Sequence, residues 1–244
     1  MMRAICGDEM RDQYAGDVSD AVKFALLRAL AAQDRQLGVA WYYVPSNDGR
    51  PDGRHTEWLD DPTWATIDRD LQAALTAIPI RSVASLETCP IWPEGTLFHS
   101  DPVPSADGRL QWALQMRQKL AEADLVFLDP DNGIGNRSVK HATWGEVRSL
   151  VRNDRCTTFI TFPGRTLHDE QADRLHQLVK AETHCRSVVT IRTSIAVPAA
   201  KPGAFVPRAR WFTLINPCTA LLGRLAKFEA TINAQPRMSA SIWT

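Results

Sequence analysis

The run LVFLDPDNG (125–133) sets four apolar residues against a cluster of acids, an amide, a proline and a glycine. At the end of an apolar strand, Asp129 can accept a hydrogen bond from an amine or a hydroxyl. With Asp131 and Asn132 it can also bind a cation, because carboxylates and amides are hard oxygen ligands. The same residue types are the commonest turn formers, so a plain turn stands beside both site readings. A second constellation lies in YAGDVSDAVKF (14–24). Asp20 and Lys23 share one helical face, where a surface ion pair contributes only a few tenths of a kcal/mol. In the functional reading, Gly16 and Asp17 open a helix whose N-terminus faces a crevice. Lys23 then offers a positive charge to a phosphate.

Other polar residues carry weaker signals. Glu87, ending IRSVASLE, suits ribose hydroxyls or solvent. Asp101, in FHSDP, suits an adenine edge or a turn cap. Arg165, in FPGR, suits a phosphate or the end of the sheet. The six histidines show no metal-ligand spacing, so no metal site is assigned to them. GxSxG, P-loop, HExxH and GxGxxG motifs are all absent from the sequence, which leaves nucleophile-triad and P-loop chemistry without support.

Elements that would position these residues follow from periodicity. Asp17–Asp20 offers N-caps to a helix with Val22, Leu26, Ala29 and Leu30 on one side. Residues 37–45 and 80–87 read as strands, the second ending in Glu87. Residues 64–78 and 109–122 read as helices, and LVFLD as the strongest strand. Helices over 144–152, 167–182 and 219–230 alternate with strands over 156–163, 187–195 and 211–217. Such alternation predicts an α/β, Rossmann-like, doubly wound and mostly parallel sheet, one domain to about residue 230. Residues 231–244 read as a loosely held tail, with Trp243 free to dock. In a parallel sheet, ligands sit at the carboxyl ends of strands. YYVPSNDG, SLETCP, FLDPDNG and ITFPGR therefore converge on one crevice.

Lys plus Arg and Asp plus Glu each number 28, so no net field draws in nucleic acid or membrane, although a local basic groove is compatible with balance. The scattered Cys6, Cys89, Cys156, Cys185 and Cys218 read as reduced thiols. No run approaches the ~18 apolar residues of a membrane span, and a cytoplasmic protein is expected.

Taken together, these stretches resemble the RlmJ-type family of S-adenosylmethionine-dependent methyltransferases, which modify adenine N6 in ribosomal RNA. YAGDVSDAVKF is similar to the family's FHAGNHADVLKH opening, keeping Ala15, Gly16, Asp20, Val22 and Lys23. SLETCP resembles its TELHP-like strand end, LVFLDPDNG its LILIDPPYE-like catalytic strand, Thr161-Phe162-Pro163 its WYP segment, and Leu214–Pro217 its VINPPW. The resemblance runs to about residue 225. It implies a methyltransferase-type Rossmann-like sheet with S-adenosylmethionine bound by the loop carrying Ser46, Asn47 and Gly49, by Glu87 and by Asp101. It implies that Asp129 orients the reacting amine and that Lys23 and Tyr14 close over cofactor or nucleic acid, with Asp131 and Asn132 as further catalytic candidates beside Asp129. Tyr14, Asp17, Asp20 and Arg165 would then face a nucleic acid or nucleotide. Where the family's motif continues Pro-aromatic, and the aromatic stacks the flipped base, this chain has Asp131-Asn132.

Two further functions compete with that reading. Asp129, Asp131 and Asp17 could hold Mg²⁺ in a hydrolase, nuclease or glycosylase-type enzyme on the same fold. Alternatively, exposed Trp58, Trp64 and Trp92 could form a partner surface on a protein without catalysis.

Overall fold

The computed structural model describes residues 12–45, 55–135, 138–164, 167–199 and 204–244. Asp17 caps α1 (Val18–Ala31) by accepting a hydrogen bond from the Ser19 N–H. The helical apolar spacing buries Val22, Leu26 and Leu30 completely. β1 (Leu37–Trp41) follows and is buried along its whole length. Next come α2 (Ala65–Thr76), α3 (Val83–Thr88), β2 (Leu97–His99), α4 (Ala106–Lys119) and β3 (Leu125–Asp129). The chain continues through α5 (Trp144–Leu150), β4 (Cys156–Thr161), α6 (His168–Thr183), β5 (Val188–Pro198), β6 (Phe205–Ile215), α7 (Thr219–Asn233) and β7 (Met238–Trp243).

Among the described residues, seven strands form one sheet in the order β2-β1-β3-β4-β6-β5-β7. β2, β1, β3 and β4 pair in parallel, whereas β6 and β7 run antiparallel to their neighbours. Both faces of the sheet are covered. One core packs α1, α2, α3 and α7 on the sheet, and the other packs α4, α5 and α6. Strands buried on both faces need no polar alternation, which is why LVFL reads as a continuous apolar run. The architecture is a Rossmann-like α/β fold.

Several expectations are corrected. Residues 80–87 do not form a strand. Ser82 accepts the Ser85 N–H at 3.0 Å and starts α3, so the local cap decides the conformation, and Ile80 stands 72% exposed. The edge strand is instead β2, whose three residues are too short to show a period. β1 stops at Trp41 rather than at residue 45. Beyond it the Tyr43 carbonyl keeps one backbone bond, from the Val103 N–H.

Residues 238–243 are not loose but form β7 along β5. α7 covers the outer edge of that strand: Asn233 bonds both backbone groups of Ala240, and Glu229 accepts from the Ile242 N–H. Trp243 does dock, donating to Asp173 and lying 4.4 Å from the Arg192 guanidinium. The tryptophans expected at a partner surface pack inward. Trp58 is 4% exposed and donates to the Gly16 carbonyl, Trp64 tilts onto Trp58, and Trp92 meets Phe24 edge-on. Cys89 and Cys156 are buried free thiols, and burial pushes the Cys156 thiol up to about 12. No helix among the described residues is long and apolar enough to cross a membrane.

Candidate active site at the carboxyl ends of the parallel strands

β3 delivers Asp129 as its last residue, directly beside Trp41 at the end of β1. The chain then turns sharply, with the Gly133 N–H returning to the Pro130 carbonyl. DPDNG is therefore both things its composition allows: Asp129 belongs to the strand and Pro130–Gly133 to the turn. Gly133 holds φ +73°, and a Cβ there would lie 3.4 Å from the Thr161 backbone. Gly133→Ala combines a strained φ with that close approach, and is expected to cost about 1–3 kcal/mol in urea unfolding. An unchanged midpoint would show that the turn does not constrain the site.

Asp129 is 4% exposed, and its Oδ2 accepts from Lys23 Nζ at 2.7 Å. Lys23 donates equally to Asp20 Oδ1 at 2.7 Å, and Asp20 Oδ2 accepts the Gly16 N–H at 2.7 Å. The ammonium also lies 5.3 and 5.8 Å from the Phe24 and Trp41 ring centres. A chain of charge-assisted bonds thus runs from the loop before α1 to the tip of the central strand. Lys23 is 4% exposed and committed to two carboxylates, so it is not the free phosphate contact that the sequence suggests. It is a positioning residue for Asp129.

The electrostatics follow from counting charges. Burial alone disfavours the Lys23 ammonium, but Asp129 and Asp20 outweigh it and hold the lysine protonated well above its usual range. Burial raises the Asp129 carboxyl, Lys23 opposes that rise, and the neighbouring Asp20 adds to it. Asp17 is likewise raised by burial and by Asp20, while the Ser19 N–H and Arg210 pull it down. Both the base and the acids move upward because three carboxylates share one buried ammonium and one guanidinium.

A cavity of about 330 Å³ opens against this cluster. Seven residues singled out in the sequence line it together: Tyr14, Asp17, Asp20, Lys23, Asp129, Asp131 and Asn132. Asp131 is half-buried and Asn132 exposed on the turn. Phe162, from the ITFPGR stretch expected at the crevice, lines the cavity as well, whereas Arg208 and Arg210 were missed in the sequence. The arginines were legible in principle, since two charges at alternate positions of PRARW fall on one face of a strand.

Glu87 and Asp101 lie outside that cavity. Glu87 projects from α3 rather than from a strand end, and burial pushes its carboxyl up against the opposing pull of Ser100 and Trp41. Asp101 is exposed, 3.9 Å from the Nδ1 of buried His99. Trp41 Nε1 and the Glu87 carboxylate are buried together in this neighbouring region, and buried His99 Nε2 has no hydrogen-bond partner among the described residues. Burial lowers the His99 pKa, which favours a neutral ring able to accept or donate. Ser46, Asn47, Gly49 and Arg165 lie outside the described residues. No group of three or more His, Cys, Asp or Glu side chains among the described residues is placed to hold a metal ion.

No protein-family model matches the chain, and no curated protein matches it. Its fold is shared with a solved structure, protein LPL1258 from Legionella pneumophila str. Philadelphia 1, assigned to the family model DUF519. The two superpose with a TM-score of 0.55 over 94% of this chain and 98% of that one, at 12% identity. The likeness is one of fold, spanning nearly the whole of both chains.

Proposed function

We propose that the protein is an S-adenosylmethionine-dependent methyltransferase that modifies an amine of a nucleic acid or nucleotide. The observation that carries this reading is Asp129, buried at the tip of the central parallel strand, fixed by Lys23 and facing the cavity. Methyl transfer needs no covalent protein intermediate, only alignment and a polar partner for the amine. With Oδ2 held by Lys23, Asp129 offers its other oxygen to an amine N–H and turns the nitrogen lone pair toward the donor. The cofactor would supply the methyl group, and the acceptor nitrogen would exchange one proton for it. The surplus amine proton then passes to water.

The Glu87 carboxylate, held by Ser100 and Trp41, and the unpartnered His99 Nε2 fit a nucleoside-bearing cofactor. A carboxylate acceptor and a neutral imidazole suit ribose hydroxyls and adenine edges. An orphaned buried polar group costs about 1–3 kcal/mol, which a ligand meeting it recovers. S-adenosylmethionine, when bound, supplies the activated methyl group. Asp101 stands at the edge of this region.

The Mg²⁺-dependent hydrolase reading fits less well. The Lys23 ammonium already occupies the cation position beside Asp129, and Asp17 and Asp131 do not close around a common point with it. The test is transfer of a labelled methyl group from S-adenosylmethionine into total RNA, DNA and free nucleotides, with EDTA present. Label in one of these pools is expected. EDTA-sensitive cleavage of the same pools without any methylation would replace this reading by the hydrolase.

A further inference from the structure

Asp131-Asn132 leaves the tip of β3 without an aromatic side chain, yet the cavity contains one. Phe162 follows β4 directly, lines the cavity that Asp129 lines, and is 39% exposed. β3 and β4 pair in parallel with Leu128 opposite Phe159. β3 leaves that register at the Pro130–Gly133 turn, where a Cβ on Gly133 would meet the Thr161 backbone at 3.4 Å, so Phe162 follows directly beside the turn. An aromatic ring from the neighbouring strand therefore reaches the place that the turn of β3 leaves open.

The ring is held on one side by charge. The Arg210 guanidinium lies 4.9 Å from the Phe162 ring centre. Arg210 is itself fixed, with Nε donating to Ser19 Oγ at 3.0 Å and Nη1 to the Ala209 carbonyl at 2.9 Å. Arg208 lines the same wall two residues earlier on β6. The apolar side chains of Ile160 and Val197 complete it. The wall facing Asp129 thus combines an exposed aromatic face, a flat guanidinium and a second arginine. It matches a flat ring carrying an anionic substituent. Asp17 and Asp20 partly balance the Arg210 charge, and together with Asp129 and Asp131 they line the same cavity, where they favour hydrogen-bond donors.

Resting on the proposed function, we infer that Phe162, backed by Arg210, forms one jaw of a stacking clamp for the acceptor base, and that Arg208 and Arg210 take its phosphate. Phe162 then decides specificity for a planar ring, while Asp129 decides which of its edges reacts. Stacking a base on an aromatic side chain contributes about 1–3 kcal/mol, roughly five- to a hundredfold in affinity.

The experiment compares binding of adenosine 5′-monophosphate and ribose 5-phosphate to the full chain by calorimetry. The nucleotide is expected to bind roughly ten- to a hundredfold more tightly. Phe162→Ala should erase that margin while sparing ribose 5-phosphate, and Phe162→Tyr should retain it. Arg210→Gln should weaken both ligands. Equal affinity of the two ligands for the wild type, or an unchanged margin in Phe162→Ala, overturns the clamp. Because Phe162 is partly exposed, a thermal melt of each variant identifies any loss caused by unfolding, and Phe162→Tyr then decides the question. S-adenosylhomocysteine titrated into the same samples separates the two ideas. Its failure to bind refutes the methyltransferase reading, whereas its binding to a chain with no base margin refutes only the clamp.

Discussion

Lys23→Met is expected to destabilise the protein by about 3–5 kcal/mol at neutral pH, the cost of removing one partner from a buried ion cluster. The methionine fills much of the lysine's volume, so the loss is electrostatic rather than a cavity. Asp20 and Asp129 are left together, both nearly inaccessible and both bonded to the missing ammonium in the wild type. The pH dependence has a definite sign. The folded-state pKa of Lys23 lies above 10.5, so its stabilisation is complete below pH 10.5 and fades as pH rises beyond it. The Asp129 pKa lies above 3.8, so ionising it opposes folding as pH rises past 3.8, and Lys23 offsets that cost. The gap between wild type and variant should therefore be largest near neutrality, and should narrow toward pH 4 and again above pH 10.5. Urea unfolding across that range checks it. A gap below ~1 kcal/mol at neutral pH would remove Lys23 from its central role.

Asp129→Asn is expected to behave in the opposite way. The amide keeps the size and an acceptor oxygen but removes one of three carboxylates crowded around one ammonium and one guanidinium. Stability should hold or rise by up to about 1 kcal/mol, as is common where a strained functional group is relieved. Methyl transfer should fall by roughly 10²–10⁴, the scale associated with losing a positioned proton-accepting group. Melts and transfer assays on one preparation settle the matter. Full transfer by a well-folded Asp129→Asn chain would show that Asp129 does not orient the acceptor. Unfolding of the variant would show that its role is structural.

What the sequence made legible was the part set by local periodicity. α1 with its Asp17 cap, the LVFLD strand and the alternation of helices and strands all show in residue spacing. The crevice was also legible, because acids at the ends of apolar strands gather on one side of a parallel sheet. Elements depending on distant partners were not. β2 has three residues and exists only because β1 offers an edge. β7 needs β5 to pair with and α7 to cover its outer side. The 80–87 segment looked like a strand because Ile80, Val83 and Leu86 are apolar, but the Ser82 cap outweighed that signal.

Within the site, the Asp20–Lys23 spacing announced a helical ion pair and nothing in the local sequence announced Asp129 as its third member, 106 residues away. That long-range contact turns a surface pair worth a few tenths of a kcal/mol into a buried one. Arg208 and Arg210 were missed for the same reason: each is unremarkable in its own segment, and only the β4-β6 pairing brings them to the cavity that Phe162 lines.

The most direct measurement is a calorimetric titration of S-adenosylhomocysteine into the wild type, Asp129→Asn and Glu87→Ala. The account predicts one saturable site per chain, unchanged in Asp129→Asn. It predicts roughly ten- to a hundredfold weaker binding in Glu87→Ala, where a charged hydrogen-bond acceptor facing the cofactor is lost. No binding to the wild type up to millimolar concentration would contradict it.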